Sequence, residues 1–328
     1  MSALEPALIG EVNPYPARAA KGLWKDAWRR LQRNRLAIAV IVYLALLALV
    51  ALLAPVIAPH NPVRADPLHA GVFRQAAWIS NPDLLRSGSW DYPLGTDSVG
   101  RDVFSQLVYG TRVSLVVGLI PMVLTLLIGI AVGLLAGFAG DWIDSVLMRL
   151  TDVVYAFPSL LLFILMLVSF RDTAIGNLLN GLVLLFISLS VVSWVGVARL
   201  VRGEVLALKA RDFVEAARAI GSSNGRIVLR HILPNALSPI IIAGAYIVPG
   251  AIIAEAILSY LGIGIRPAIQ PDAPFPTSWG TMILEGFQGR ESQPWMLIAP
   301  TLAVALITVA FTFLGDGLRD ALDPRQDR

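Results

Sequence analysis

The sequence predicts an all-α integral membrane protein with six transmembrane helices, and its composition and the length of its apolar runs lead to that fold class. Of its 328 residues, 56% are hydrophobic and only 15% are charged, and the mean hydropathy is +0.70. A soluble domain is typically about 45–50% apolar and about 25% charged, so this excess is too large for an ordinary core. Several apolar runs also approach or exceed the roughly 18–20 residues that cross a hydrocarbon layer as a helix.

Six apolar runs are interpreted as spans. Their hydrophobicity is continuous rather than alternating, which favours helices over a closed barrel. The predicted spans are residues 36–58, 113–138, 153–170, 178–200, 236–258 and 295–314.

Lysine and arginine are unevenly distributed between the segments that connect these runs. Of the 26 basic residues, 18 fall in residues 1–35, at Arg149, between Arg199 and Arg230, and after the last run. Because cytoplasmic segments of membrane proteins are enriched in Lys and Arg, this asymmetry predicts that both termini are cytoplasmic. Residues 1–35 contain no short apolar core followed by a cleavage site, so the first helix is expected to be retained.

The second run contains a stripe of glycines, Gly129, Gly133 and Gly137, at i, i+4 and i+8. In lipid no hydrophobic force drives helices together, and small residues instead let a second backbone approach closely. The stripe therefore predicts a tight helix contact, either within the chain or at a subunit interface. The runs also contain Pro121, Pro158, Pro239 and Pro249. Each removes a backbone hydrogen bond and can bend its helix, which favours a protein with a pathway over a plain anchor.

A basic segment joins the fourth and fifth runs. Its apolar residues recur at the helical spacing i, i+3, i+4 and i+7, at Phe213, Ala216, Ala217 and Ile220. This spacing predicts a short helix with a narrow apolar face, and Glu215 and Arg218 lie off that face. Gly221 suits the left-handed position that ends a helix, and a second helix is expected to run to Pro234. The residues alone leave two interpretations open, a docking element for a partner and an interfacial helix on anionic lipid.

Charged residues in or near the apolar runs are also candidates. Arg149 and Asp152 lie at i, i+3 near the inner end of the third run and predict an ion pair on one helix face. Glu255 lies near the outer end of the fifth run. A charged side chain such as Asp costs about 2.5–3.5 kcal/mol at the centre of a membrane helix, so a carboxylate near this depth usually faces a cavity or a partner. Glu255 and Tyr260 are therefore candidates for the pathway or an outer gate. Hydrogen bonding of Glu255 at the water interface is the alternative.

The long segment after the first run contains the polar stretch "GTDSVGRDVF", with Arg101 and Asp102 close to Asp97. Asp97 is expected to cap a short helix whose apolar side carries Val103, Phe104 and Leu107. This helix either lies on the outer membrane surface or contacts a substrate-binding protein.

Catalytic chemistry is not predicted. No GxxxxGK[ST] phosphate-binding loop occurs, because "GSSNGR" at 221–226 has the wrong spacing and no lysine. The chain has no cysteine, and His60, His69 and His231 do not have the spacing of metal ligands. We therefore expect no catalytic residue, no metal site and no cofactor bound by this chain. His231 is expected to make a structural hydrogen bond.

One motif in the basic segment is characteristic of a transporter family. Glu215-Ala216-Ala217, three residues, Gly221, nine residues and a block ending in Leu233-Pro234 resembles the EAA loop of binding-protein-dependent ABC importer permeases. The variant "RHILPN", with His231 where an aliphatic residue is usual, is similar to the dipeptide, oligopeptide and nickel subfamily. Other pieces agree in order: "PLGTDSVGRDVFSQLVYGTRVSL" (93–115), "DSVLMRLTDVVYAFPSLLL" (144–162), "ARLVRGEVLALKARDFVEAARAIG" (198–221), "ILSYLGIG" (257–264), "SWG" (278–280) and "LGDGLRDALDPR" (314–325). The N-terminal helix and long outer loop resemble the C-type permease subunit.

The resemblance implies a type I ABC importer permease fold with a defined domain organisation. A cytoplasmic tail at 1–35 would be followed by the first helix and external loop at 36–112. A five-helix permease domain would span 113–315 and include a cytoplasmic coupling loop at 200–235. The cytoplasmic tail would be 316–328.

The resemblance also assigns roles to residues. The helix near 211–222 would seat in a groove of an ATP-binding subunit, with Glu215 as the main polar contact, the alanines as the packing face and Gly221 as the hinge. The coupling residues would be Arg211, Asp212, Phe213, Glu215, Ala216, Ala217, Arg218 and Gly221.

The partners implied are a second, homologous permease subunit in a heterodimer, two ATP-binding subunits that hold ATP and Mg²⁺, and an extracytoplasmic substrate-binding protein. The expected location is the lipid of a prokaryotic inner membrane, with no nucleic-acid partner. The implied function is import of dipeptides or oligopeptides, with nickel chelates or other small solutes as the alternative. A self-sufficient channel or secondary transporter is a different class of function, and an intramembrane enzyme is the weakest alternative.

Overall fold

The computed structural model describes residues 23–83 and 86–322, so parts of the predicted tails 1–35 and 316–328, residues 1–22 and 323–328, lie outside the described residues. The described chain is helical, with irregular connections and no strand within those ranges. The helices are α1 (Leu23–Arg33), α2 (Arg35–Leu52), α3 (Ala54–Ile57), α4 (Val103–Ala139), α5 (Asp141–Tyr155), α6 (Ser159–Ser169), α7 (Ala174–Asn177), α8 (Leu182–Lys209), α9 (Asp212–Ala219), α10 (Asn224–Ile227), α11 (Leu233–Tyr260), α12 (Trp279–Gly289) and α13 (Trp295–Leu322).

Five helical segments are long and apolar enough to cross a membrane: α2, α4, α7 with α8, α10 with α11, and α13. The pair α5 and α6 makes a sixth if it is counted as one span, which confirms the all-α membrane fold. The third span predicted at 153–170 is broken: α5 and α6 meet at Pro158, one of the prolines expected to bend a helix, with a bend of 84°. α6 has only 11 residues, about 16 Å of helix, and so covers roughly half of the hydrocarbon layer.

α4 begins ten residues before the predicted span, and the reason is the cap provided by Asp102. The carboxylate of Asp102 accepts hydrogen bonds from the backbone N–H groups of Phe104 and Ser105, at 3.2 and 3.0 Å. The short surface helix predicted here is therefore the first turns of α4. The predicted cap at Asp97 is wrong, because Asp97 accepts backbone bonds from Val99 and Arg101 in the turn before it.

α4 packs along α8 through the predicted glycine stripe. A Cβ atom placed at each glycine would lie only 2.5–2.6 Å from the Cβ atom of a valine on α8. The facing pairs are Gly129 with Val197, Gly133 with Val201, and Gly137 with Val205. The predicted tight contact is therefore made within the chain, and it lets two long helices approach closely without a side chain between them.

The helical segment before the fifth span continues through Pro234, so the predicted stop there is wrong. α10, a π-helical turn at Val228–Ile232 and α11 form one segment of 37 residues. Proline has no N–H for an i to i−4 hydrogen bond, and its ring crowds the carbonyl of the preceding turn. The wider π-helical turn immediately before Pro234 accommodates that defect without ending the helix.

The bundle has two ends, which differ in what covers them. One end of the bundle, which we call the α9 end, contains α9, α1 and the last turns of α13. Ala27 and Leu31 of α1 share an apolar cluster with Ala321 and Leu322 of α13, so both ends of the described chain lie there. At the opposite end, which we call the α12 end, the described residues 58–83 and 86–102 pack on α12 and on the first turn of α4.

Candidate functional site

α9 is a short helix that follows α8 after a two-residue connection. Its inward face consists of Val214 and Ala217, which are buried at 0% and 4% exposure. Both belong to the same apolar cluster as Val205 of α8 and Ile227 of α10. α9 is therefore held firmly against the last turns of α8 while its other side stays open.

The predicted apolar face of α9 is only partly correct. Ala217 points into the chain's own core and is not available to a partner, and Val214, which lies outside the predicted stripe, is buried beside it. Phe213 and Ile220 remain exposed, at 39% and 83%, together with Ala216. The buried face of α9 differs from the predicted one because α8 and α10 supply an apolar surface beneath it. Val214 and Ala217, at i and i+3, are the two residues that pack on that surface.

The charged residues of this segment are all exposed. Arg211, Asp212, Glu215 and Arg218 make no side-chain hydrogen bond or ion pair with any other residue of the described ranges. The segment thus presents two cations and two anions to the outside, and none of the four is paired with a described residue of the chain.

Gly221 ends α9 in the left-handed region, with φ of +80°, as predicted. Its N–H donates to the carbonyl of Arg218 at 2.9 Å, and the N–H of Ser222 donates to the carbonyl of Ala217 at 3.0 Å. These two bonds form the Schellman motif. No heavy atom lies within 4 Å of a Cβ placed at Gly221, so the backbone conformation, and not lack of space, selects glycine.

A cavity of about 860 Å³ lies between α4, α8, α11 and the break between α5 and α6. One wall is the continuous stretch 154–160 across that break. Within the described residues its lining contains no charged side chain, and its polar side chains are the hydroxyls of Thr125, Tyr155, Ser159 and Ser193. The Thr125 Oγ1 atom is buried without a hydrogen-bond partner. The cavity can therefore hold a solute without offering it a fixed charge.

The structure places Glu255 and Tyr260 away from this cavity. Glu255 is 1% exposed and accepts a hydrogen bond of 2.6 Å from the hydroxyl of Ser259. Its Oε2 atom faces α12, only 3.0 Å from where a Cβ at Gly280 would lie. Tyr260 packs edge-on against Phe287 of α12, with ring centroids 5.7 Å apart. Both residues therefore belong to the contact between α11 and α12.

The predicted ion pair between Arg149 and Asp152 is wrong. Asp152 instead accepts a hydrogen bond of 2.7 Å from Arg199 of α8. A second pair lies nearby, where Arg202 of α8 donates two hydrogen bonds, of 2.5 and 2.6 Å, to Asp144 of α5. The carboxylates of α5 are thus bound by arginines of the neighbouring helix α8, one of them bidentately.

A largely buried network at the α12 end fastens the turn before α4 to α12. Arg101 donates to Asp97 at 2.6 Å and to Glu285 at 2.9 Å, and Gln106 donates to Asp97 at 2.9 Å. Burial raises the pKa of Glu285, and Arg101 opposes that rise. Burial alone would lower the pKa of Arg101, but the carboxylates of Asp97 and Glu285 outweigh it and raise the pKa.

Sequence reasoning missed the cavity wall at 154–160. The signal that was present is Pro158 in an apolar run, because a helix broken at membrane depth is tolerated only where it is buried in protein or lines a cavity. In residues 23–83 and 86–322, no three histidine, aspartate or glutamate side chains lie close enough together to hold a metal ion.

A broken span beside an uncharged cavity, together with an exposed charged helix at one end, defines a multi-pass membrane protein of the translocator class. Residues 129–328 match the family described as binding-protein-dependent transport system inner membrane component, and residues 22–76 match the N-terminal TM domain of oligopeptide transport permease C. The chain belongs to the family of binding-protein-dependent transport system inner membrane components.

Relatives of similar length support this membership. The chain is 39% identical to the dipeptide transport system permease protein DppC of Bacillus subtilis, over 93% of this chain and 86% of the relative. It is 36% identical to the oligopeptide transport system permease protein OppC of Escherichia coli, over 93% and 92% of the two chains. It is also 36% identical to the glutathione transport system permease protein GsiD of Pectobacterium atrosepticum, over 97% of each chain.

A solved structure shows the same fold. A chain of the inward-facing MetNI methionine ABC transporter superposes with a TM-score of 0.52 at 18% identity. The match covers 67% of this chain and 97% of that chain. At this identity the likeness shows the fold alone.

Proposed function

We propose that this chain is a permease subunit of an ATP-driven importer for dipeptides or oligopeptides, that it forms half of the translocation path, and that it binds an ATP-binding subunit through α9. The observation that carries the proposal is the match to permeases named for dipeptide and oligopeptide transport, at 36–39% identity over more than nine-tenths of this chain. Nickel chelates and other small solutes are the alternative cargo.

The outward face of α9 favours a protein partner over lipid. Its two cations and two anions give no net attraction to an anionic membrane surface. Phe213 and Ile220, seven residues apart, supply exposed apolar area on one side of α9, and Glu215 is exposed on another side. An apolar side with charged residues next to it suits a groove on a folded partner. In this arrangement α9 and both termini face the cytoplasm, as the distribution of Lys and Arg predicts.

The uncharged cavity suits peptides of varied sequence. A peptide carries a positive and a negative terminus, so a fixed charge in the lining would hold one terminus and repel the other. Hydroxyl groups can instead donate or accept hydrogen bonds with any peptide unit. A second permease subunit would close the cavity from the opposite side.

ATP and Mg²⁺ would be held by the partner subunits. The one glycine-containing stretch near α9, residues 221–226, forms the turn after α9 and the start of α10 and has no lysine to contact a phosphate. This chain would therefore contribute the path and the point of attachment, and the energy of ATP hydrolysis would enter through α9.

Purification in mild detergent from the native membrane tests the assembly. We expect the tagged chain to bring with it a second permease and ATPases with phosphate-binding loops, identified by mass spectrometry. The variant Glu215→Arg should lose the ATPases and keep the second permease. Asp272→Arg, the same charge change on an exposed residue at the α12 end, serves as the control and should keep both.

Uptake by proteoliposomes tests the cargo. The assembled complex, its binding protein and internal ATP should accumulate radiolabelled tri-alanine, and a nickel chelate should not enter. ATP-dependent nickel uptake without peptide uptake would show that the proposed substrate is wrong and that the proposed importer function is correct. A chain that purifies alone and transports without ATP would overturn the proposal in favour of a self-sufficient carrier.

A further inference from the structure

α5 is only loosely packed, although it joins two long parts of the bundle. Of its 15 residues only Thr151 is buried, and apolar side chains such as Trp142 and Val153 are 77% and 60% exposed. Its first residue follows Gly140, which has a φ of +112° and no heavy atom within 4 Å of a Cβ placed there. Its end meets the break at Pro158. Apolar packing within the described chain therefore holds only a small part of α5, and both of its ends lie at breaks in the helix.

Two arginine–aspartate pairs hold α5 to α8. Arg202 binds Asp144 in the first turn of α5, and Arg199 binds Asp152 in its last turn. The guanidinium group of Arg199 also lies over the ring of Tyr155, 4.5 Å from the ring centroid. The two pairs fix both ends of α5 to positions three residues apart on α8.

The helix held in this way carries a wall of the cavity at its end. The stretch 154–160 lines the cavity. It consists of the last two residues of α5, the break that follows and the first residues of α6. Val154 also packs against the cluster of Trp194, Val195 and Ala198 on α8. A movement of α5 therefore moves the cavity wall.

α8 connects the same pairs to α9 without a break. It continues as one helix from Arg199 and Arg202 to Lys209, and α9 begins after a two-residue connection. The shared cluster of Val205, Val214 and Ala217 makes α9 and the last turns of α8 one packed unit. A displacement of α9 is therefore a displacement of the arginines.

We infer that the pairs Arg202–Asp144 and Arg199–Asp152 make α5 follow α8, so that a displacement of α9 reaches the cavity wall at 154–160. The inference rests on the proposed function, in which an ATPase displaces α9. The four residues are positioning residues, since none of them lines the cavity or belongs to α9.

Because the two ion pairs are partly exposed, their role in coupling α5 to α8 can be distinguished from a role in folding. Their side chains are 19–67% exposed, and ion pairs at partly exposed positions contribute less to stability than fully buried pairs. Loss of the pairs should therefore leave an assembled complex in which α9 moves and α5 follows less well. Changes along a coupling path typically alter coupling by a factor of roughly 2 to 30.

The first test measures peptide uptake per ATP hydrolysed in proteoliposomes of the complete complex. We expect Asp144→Ala or Asp152→Ala to lower this ratio roughly threefold, and the double variant to lower it roughly tenfold. ATP hydrolysis itself should persist. The matched control is Asp141→Ala, which removes an exposed aspartate from the same turn of α5 that makes no ion pair with the described residues. An unchanged ratio in the double variant would overturn the inference.

The second test needs no knowledge of the cargo. The chain contains no cysteine, so spin labels can be placed at Ala156→Cys and Ile257→Cys, on opposite sides of the cavity. In the wild-type background the distance between the labels should change when the ATPases are trapped with ATP and vanadate. In the double alanine variant that change should shrink or vanish. The same change in both backgrounds would contradict the inference.

A charge exchange keeps the test informative if the alanine variants assemble poorly. Asp144→Arg and Arg202→Asp should each lower the uptake ratio, and the two together should restore at least half of it. Failure of the assembled double exchange to restore the ratio would argue against the pair as the linkage. If the wild-type complex itself binds no ATPase or shows no nucleotide-dependent distance change, the proposed function fails first, and the inference fails with it.

Discussion

The two ends of the bundle treat their charged residues in opposite ways. At the α12 end, Asp97 is 1% exposed and is bonded by Arg101 and Gln106, and Arg101 also binds Glu285. At the α9 end, the charges on α9 and its leading residue are exposed and unpaired within the described chain. The buried network at the α12 end fastens an irregular segment of the chain, whereas α9 keeps its charges on the outside.

This difference indicates where the chain is complete and where it awaits a partner. A buried charge must be satisfied internally because an unpaired one costs several kcal/mol. An exposed charge costs nothing while it stays in water, so it can remain free until another protein covers it. The charged network at the α12 end is therefore complete within the chain, and α9 presents an attachment surface. The predictions below test this contrast, from the largest expected effect to the smallest.

The largest effect is expected from Arg101→Met at the α12 end. Removal of the guanidinium group would leave Asp97 and Glu285 largely buried without their cation, which should cost about 3–5 kcal/mol of unfolding free energy. The matched change at the α9 end, Arg218→Met, should stay within about 0.5 kcal/mol. Thermal unfolding of the two purified variants checks this, and equal losses would remove the distinction between the ends.

A smaller effect is expected from Gly133→Ala, in the contact between α4 and α8 that joins the two ends. The new Cβ would lie 2.6 Å from the Cβ of Val201 and 2.7 Å from the carbonyl oxygen of Ala198, so the helices must separate. Overpacking of this kind costs about 1–3 kcal/mol. Gly203→Ala on α8 is the control, because nothing lies within 4 Å of its Cβ. Thermal unfolding of both variants checks this. If Gly133→Ala is as stable as the wild type, the helices can separate at little cost and the close contact is not required for stability.

The smallest effect is a pH dependence at Asp102 of the α12 end. Burial raises the pKa of Asp102, and its hydrogen bonds with Ser105 and the nearby His60 oppose that rise. Because the folded-state pKa lies above the unfolded one, the charged carboxylate destabilises the fold at neutral pH. This destabilisation fades as the pH falls through the folded-state pKa toward roughly 3.9.

Asp102→Asn removes that dependence and keeps a cap acceptor, so we expect a change of less than about 1 kcal/mol at neutral pH. Thermal unfolding of the wild type and the variant from pH 7 to roughly pH 4 should show the wild type gaining stability relative to the variant as the pH falls. Parallel curves for Asp102→Asn and the wild type would contradict the burial argument.

Local features of the fold were predictable from the sequence, and most errors arose where partners come from elsewhere in the chain. The glycine stripe at 129–137 and the stop at Gly221 were predictable because they depend on spacing and on one backbone angle. The cap at Asp102 was misplaced by five residues because two aspartates at that turn suit the same role, and Asp97 is taken by Arg101 and Gln106.

The sequence by itself determined that the chain is a helical membrane protein, where its apolar runs lie, and that a short polar helix separates two of them. These properties follow from hydrophobicity and local backbone preference, which each stretch carries with it. The tertiary structure alone decided that Ala217 is buried, that Asp152 pairs with Arg199 and that Glu255 faces α12. Those outcomes depend on which helix lies beside which, because burial and ion pairing are properties of neighbours and not of the residue itself.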